Sequence, residues 1–302
     1  MIVSVSRRTD IPALYGKWFI ERLKAGEVYQ RNPFNPGQVH RIPLSKDEVD
    51  AFVFWTKNPA PFMPYLSYIK GYTYYFHVTL TPYHEDVEPA FKDKGHLLDA
   101  FKVLSGSIGA KRVIWRYDPV IITDRYTASW HKAQFERFAK ALKGHSDRVV
   151  VSFVDFYKKA EAVLKALGAY DPPMETKKSL IRSFDAIARA NGMTLELCSE
   201  AIDMREEGVQ PSKCVDLERI EKLGGPILNL PKDPNQRKAC GCVISKDIGM
   251  YDTCTLGCRY CYAVRSLDKA RKAYKDYDSA LPFLCGDFRD GDKVHEVKDR
   301  KR

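Results

Sequence analysis

Cys254, Cys258 and Cys261 stand within eight residues of one another in the glycine-containing stretch Cys254-Thr-Leu-Gly-Cys258-Arg-Tyr-Cys261. Thiolates are soft, charged ligands, and three so close together point to a metal. All eight cysteines fall in the last third of the chain, from Cys198 to Cys285, and the first 197 residues contain none. Structural zinc is one reading, since Cys240, Cys242, Cys254, Cys258 and Cys261 could supply four thiolates. Zinc usually takes two C-x-x-C knuckles, whereas here the triad is C-x-x-x-C-x-x-C and the other pair is C-x-C, a spacing that favours iron–sulfur. Cys198, Cys214, Cys240 and Cys242 are enough for an auxiliary iron–sulfur centre with complete thiolate ligation. The alternative is that two of them are core thiols and the Cys240–Cys242 pair merely flanks the loop. An isolated Cys285 reads as a small buried hydrophobe and is left out of the ligand set.

The elements that must position these groups follow from hydrophobic periodicity. Apolar β-branched and aromatic runs at 2–6, 51–56, 73–79, 112–116, 149–154 and 193–198, with a weaker one at 226–230, predict strands. Helical patterns lie between them at 14–25, 61–69, 88–104, 129–142, 158–167 and 175–190. In the fourth of these Phe135, Phe138 and Leu142 recur at three- and four-residue spacing. Residues 252–262 read as loop and 263–277 as a helix, and backbone amides at a helix start favour negative charge nearby. This βα succession over about 250 residues predicts an α/β fold, a TIM-like (β/α) barrel, and no glycine-rich dinucleotide fingerprint argues for an open doubly wound sheet. A change of texture near residue 205 divides the chain into a barrel core with a substrate rim, 1–205, and a cysteine-rich region, 206–302, that completes the barrel.

In such a barrel the carboxyl ends of the strands face the active site. Those ends carry Arg7, Arg8 and Asp10, then Lys57, then His77, Thr79 and Thr81, then Arg116 and Asp118, then Ser152 and Asp155, then Glu196, Cys198 and Glu200. Any one of them could be an ordinary cap or turn residue. Together they predict a polar rim that grips an anionic or zwitterionic substrate, with Arg7, Arg8, Lys57 and Arg116 binding the anion. Asp10, Asp118, Glu196 and Glu200 are assigned to positioning or proton transfer.

Bulk properties bound these readings. A chain of 302 residues with 44% hydrophobic content can bury a full core. It has no apolar run of membrane-spanning length, and the sequence Met1-Ile-Val-Ser-Val-Ser-Arg-Arg-Thr-Asp10 lacks the apolar core of a signal peptide. A cytoplasmic protein without a membrane partner is expected, in which cysteines serve metal or redox chemistry more often than disulfides. The net charge of +10 leaves room for a nucleotide-like substrate or nucleic acid, although the tail from Lys298 to Arg302 and the helix around 269–275 hold much of the excess and read equally as solvated surface. The 17 Tyr and 15 Phe could stack bases but suit barrel core positions better.

Two stretches carry a family resemblance. Gln236-Arg-Lys-Ala-Cys-Gly-Cys242, continued by Ser245-Lys-Asp-Ile-Gly-Met-Tyr-Asp-Thr-Cys254 and Cys258-Arg-Tyr-Cys-Tyr-Ala263, together with Ser4-Val-Ser-Arg-Arg-Thr-Asp-Ile-Pro12, resembles the bacterial family called domain of unknown function eighteen forty-eight. The likeness covers nearly the whole chain. Its cysteine loop is similar to that of radical S-adenosylmethionine (SAM) enzymes, in which three thiolates hold a 4Fe–4S cluster whose open iron binds SAM. The resemblance implies Cys254, Cys258 and Cys261 as cluster ligands and Tyr260 as the aromatic beside the SAM adenine. The motif sits at the end of the chain, which implies a circularly permuted barrel with 226–277 as the first unit and the strand at 2–6 as the second. The glycine-rich segment that grips the SAM amino group is absent, and Ser6-Arg-Arg-Thr-Asp10 stands in its place with Asp10 as the candidate partner.

The leading expectation is an iron–sulfur enzyme that cleaves SAM and generates a radical on a small anionic or polar substrate, supplied with electrons by a flavodoxin or ferredoxin. Two other classes stay open: a redox or nucleic-acid-binding repair protein with non-SAM iron–sulfur centres, and a zinc-stabilised binding module.

Overall fold

A pleated chain turns successive side chains to opposite faces of a sheet, so a strand buried on both faces reads as a near-continuous apolar run. The computed structural model describes residues 1–297; the basic tail from Lys298 onward lies outside the described residues. In chain order come β1 (Ile2–Val5), α1 (Ile11–Leu14), α2 (Gly16–Ala25), β2 (Glu27–Arg31), β3 (Gln38–Pro43), β4 (Ala51–Thr56) and α3 (Leu66–Ile69). Next are β5 (Tyr74–Thr79), α4 (Lys94–Ile108), β6 (Val113–Val120), α5 (Ala128–Ala141), β7 (Arg148–Phe153), α6 (Glu161–Ala166), α7 (Met174–Ala190) and β8 (Thr194–Leu197). The last third supplies β9 (Gln210–Pro211), α8 (Leu217–Lys222), β10 (Lys246–Asp247), α9 (Leu267–Lys275) and β11 (Lys293–Glu296).

Eight strands form one sheet in the order β10-β1-β4-β5-β6-β7-β8-β9, every neighbouring pair parallel. A second sheet has β3 at its centre, antiparallel to β2 and parallel to β11. The α/β expectation is met. Closure is not, because among the described residues β10 and β9 are edges without a strand between them. The strand expected at 226–230 is irregular, and the partner of β1 from the last third is instead β10, just before the cysteine loop.

One face of the large sheet carries Val3, Val5, Phe52, Phe54, Phe76 and Trp115, packed against Phe19, Phe101, Phe135 and Phe184 of the helices. The rings of Trp115 and Phe135 stack at 4.8 Å and those of Phe135 and Phe184 at 4.2 Å. Each such buried side chain contributes about 1.5–3 kcal/mol. The opposite face carries smaller residues, Ile2, Ala51, Val53, Ile114 and Val150, with Tyr75, and is covered by Cys214, Val215, Cys240 and Cys242. The larger face anchors the frame; the smaller one leaves room for polar groups.

Several helix boundaries moved for local reasons. Pro61 and Pro64 turn most of the segment 60–65 into a 3-10 helix before α3. The helix expected from 88 begins at Lys94, because Asp93 caps it by accepting from Gly95 and His96 amides, which leaves Glu88 in the preceding loop.

Candidate active site at the strand ends

Alternation along β4 to β8 places Trp55, His77, Arg116, Ser152 and Glu196 on the same face as the small residues, with Cys198 just past β8. The chain after β9 folds back over this face and is pinned by the backbone of Cys214. The Cys214 carbonyl accepts from Tyr75 Oη at 2.7 Å and lies 2.8 Å from His77 Nε2, while Tyr75 Oη accepts from the Asp216 amide at 3.1 Å.

Cys214 Sγ is the common neighbour of the site. It lies 3.6 Å from Cys198 Sγ, and Arg116 Nη1 donates to it at 2.9 Å. The second guanidinium nitrogen of Arg116 pairs with Asp118, which also accepts from Ser152 Oγ. Hydrogen bonds from the thiols of Cys198 and then Cys242, together with the Arg116 charge, hold Cys214 well below the ordinary thiol range despite its burial. Cys198 is pushed up, first by its hydrogen bond to Cys214 and then by burial. Cys242 interacts with Cys214 and Cys240 and is raised by both, while Cys240 falls to about 6 through its bond with Cys242.

Three buried polar atoms around these thiols form no hydrogen bond: Arg7 Nη2, His77 Nδ1 and Glu196 Oε2. Buried polar groups are normally satisfied, so such atoms mark places where a ligand or water completes the structure. The Arg7 guanidinium stacks 5.1 Å from the Trp55 ring, which itself stacks on His77 at 5.3 Å. The electrostatic neighbours of Arg7 are the Cys242 and Cys214 thiols and Asp247. Burial lowers His77 to about 3, so its ring is neutral at ordinary pH. Burial raises Glu196 to about 7 even though Arg148 Nε stands 3.1 Å away.

A second polar cluster lies beside the cysteine loop. Glu88 accepts from Lys57 Nζ (2.6 Å), Lys94 Nζ (2.5 Å), Thr81 Oγ1 (2.6 Å) and Tyr260 Oη (2.5 Å). Burial alone would raise it, but the two lysines overcome that and hold it at about 2. Asp10 uses both carboxylate oxygens on backbone, Oδ1 on the Ala13 amide (3.0 Å) and Oδ2 on the Lys57 amide (2.7 Å). Burial nevertheless lifts it to about 6. Asp10 is therefore the cap of α1 and a tie to the end of β4. Arg8 lies outside both clusters, over the Tyr251 ring at 5.1 Å. Glu200 Oε1 accepts from the Phe153 amide at 2.7 Å.

The cofactor expectation is corrected here. Among the described residues no three His, Cys, Asp or Glu side chains are arranged so as to hold a metal ion. Cys254, Cys258 and Cys261 are free thiols whose burial pushes all three up, Cys254 to about 12, and Cys261 Sγ accepts from the Ala263 amide at 3.4 Å. The loop therefore does not form the 4Fe–4S site with an open iron for SAM, and Tyr260 turns its hydroxyl to Glu88. Cys198 and Cys214 lie 3.6 Å apart, with Cys242 and Cys240 as electrostatic neighbours, and these four too form no such centre. The physical reason for the triad is desolvation, which outweighs the Lys57 charge beside Cys258 and Cys261 and favours neutral thiols over the thiolates a metal requires.

Sequence reasoning missed Glu88, Trp55, Arg148, Lys94 and Asp247. Asp247 stitches β10 to β1, accepting from Ser4 Oγ (2.8 Å), Ser6 Oγ (2.5 Å) and the Arg7 amide (2.8 Å). Trp55 had one legible signal, its place near the carboxyl end of the apolar run of β4, whereas Arg148 opens β7 at the opposite end of its strand. Asp247 had none, since its partners come from the other end of the chain, and Glu88 takes Lys57 and Tyr260 from distant segments beside its near neighbours Thr81 and Lys94.

Fold and site together define a parallel α/β protein with charged groups and thiols gathered at the carboxyl ends of its strands. Residues 2–263 match the family described as a domain of unknown function (DUF1848), and the chain belongs to that family. No curated protein matches it. Among the described residues no helix is long and apolar enough to cross a membrane.

Proposed function

We propose that the protein is an enzyme that binds a small anionic substrate at the carboxyl ends of β1, β5, β6 and β8. Arg7 and Arg116 hold its negative charge, and Glu196 transfers a proton. The observation that carries this reading is the buried, unpartnered Nη2 of Arg7, a charged donor whose burial is costly until an acceptor meets it. Arg116 is held in place by Asp118 and Ser152, which orients its fork in advance. Glu196, at about 7, exchanges its proton near neutral pH, as a general acid or base requires. Parallel sheets bind ligands at this end of their strands, and a barrel-like curvature of β10 to β9 around the small-residue face is part of the same reading.

The test is calorimetric titration with inorganic phosphate and a panel of small mono- and dicarboxylates. One anion class is expected to bind saturably, and Arg7→Gln is expected to weaken it by about 10- to 100-fold, the loss of one charge-assisted hydrogen-bond donor. If no anion binds, or Arg7→Gln binds as tightly as the parent, the reading fails.

A further inference from the structure

The thiol pair at the end of β8 has a use that anion binding does not absorb. A backbone hydrogen bond holds the two segments side by side, the Ser212 amide donating to the Leu197 carbonyl at 2.7 Å, and the Cys198 amide is fixed in turn to the Val151 carbonyl of β7 at 2.8 Å. This framework sets Cys198 Sγ and Cys214 Sγ 3.6 Å apart, in van der Waals contact but not bonded. Forming a disulfide requires the sulfurs to close to about 2.05 Å, a movement that side-chain rotation supplies where strands lie at ordinary spacing. The two sulfurs differ in surroundings. Cys214 is buried with Arg116 Nη1 on its sulfur at 2.9 Å, whereas Cys198 is partly exposed. That asymmetry suits one attacking thiolate and one resolving thiol.

We propose that Cys198 and Cys214 are a redox-active dithiol that a small hydroperoxide oxidises reversibly to a disulfide. The Cys214 sulfur attacks one oxygen of hydrogen peroxide, the O–O bond breaks, and hydroxide leaves and takes up a proton to become water. Cys214 is then a sulfenic acid. The Cys198 sulfur attacks it, an S–S bond forms, and the second oxygen leaves as water. Two thiols lose two electrons and the peroxide gains them, with two waters as product. A small dithiol reductant restores the pair by exchange. Enclosure selects for an oxidant of this size, since Cys214 is only 4% exposed and a disulfide substrate could not align with it. Cys254, Cys258 and Cys261, whose burial favours the neutral thiol, serve as internal controls. The proposal stands independently of the anion-binding reading, because thiol titration tests it without any ligand.

The experiment uses the full chain, titrated with hydrogen peroxide at one to two equivalents and then analysed by differential alkylation and peptide mass spectrometry. Expected are the loss of two free thiols of the eight, a cross-linked peptide joining Cys198 to Cys214, and full recovery with dithiothreitol. In Cys198→Ser that cross-linked peptide is expected to be absent, and the oxidised Cys214 to be recovered as a sulfenic acid trapped by dimedone added as the protein is unfolded. The parent protein alone decides if that variant does not fold. Oxidation that leaves both thiols free, or links other cysteines instead, overturns the proposal. So does stoichiometric iron or zinc released when a mercurial titrates the native thiols, since it would show these sulfurs already committed to a metal.

Discussion

Glu196 shows how one side chain can carry both a cost in stability and a chemical role. Its carboxyl sits at about 7 in the folded chain against an ordinary value of 4.5, because burial disfavours the anion more than Arg148 favours it. The folded state therefore holds the proton more tightly than the unfolded chain between those two values. Stability is fully retained below about 4.5, declines as pH rises toward about 7, and levels off above it. Glu196→Gln is expected to remove that decline, gaining about 3 kcal/mol over the parent at pH 8 relative to pH 4 in urea unfolding. Parallel stability curves for the two proteins would show that Glu196 titrates normally and would remove the basis for its proton-transfer role. Asp10 illustrates the opposite fate of a strand-end acid: both its oxygens are spent on backbone amides, and its work is to join α1 to β4.

At the scale of elements, one buried anion helps to hold the loop 252–262 in place, beside the bonds of Thr253 to Tyr15 and Thr9 and of Tyr262 to the Arg7 carbonyl. Glu88 joins Lys57 at the end of β4, Lys94 at the start of α4 and Tyr260 in the loop. Glu88→Gln leaves two buried ammonium groups without their carboxylate, so a loss of about 3–5 kcal/mol is expected. Limited proteolysis should then cut within 252–262, and an unchanged urea midpoint with an intact loop would show that the network holds nothing together. Being depressed, Glu88 contributes its stability above about 4.5 and loses it as pH falls through about 2. Such a network shows where the sequence is legible and where it is not. The long apolar runs of β4, β5 and β7 announce strands, and the runs of β6 and β8 place Arg116, Glu196 and Cys198 together on one face of the sheet. The pairs β9 and β10, two residues each, are too short to leave a period, and β2 and β3 lie in a Gln-, Arg- and Pro-containing stretch where tertiary packing decides. Cysteine spacing suggested a metal site; the enclosure that keeps those thiols neutral comes from segments far away in the chain.

Across the whole molecule, the last twenty or so described residues strap the front of the chain to its end. The Leu281 carbonyl accepts from Trp18 Nε1 at 3.0 Å, the Pro282 carbonyl from the Tyr29 amide at 3.1 Å, and Phe283 and Leu284 are buried. Deleting residues 279–302 is expected to lower stability by about 3–6 kcal/mol from the two buried side chains alone, seen as a fall in Tm and a change in tryptophan fluorescence. An unaltered melt would mean the strap is dispensable. The large sheet, for its part, ends on both sides in strands of two residues, one of them carrying Pro211, which has no amide hydrogen to offer, and the other Lys246. Long bare edges invite neighbouring molecules to add strands and grow into aggregates, whereas edges this short, blocked by proline and a lysine charge, give an incoming chain almost no template. Growth by strand addition is thus disfavoured at both edges of the wide, strongly apolar parallel sheet.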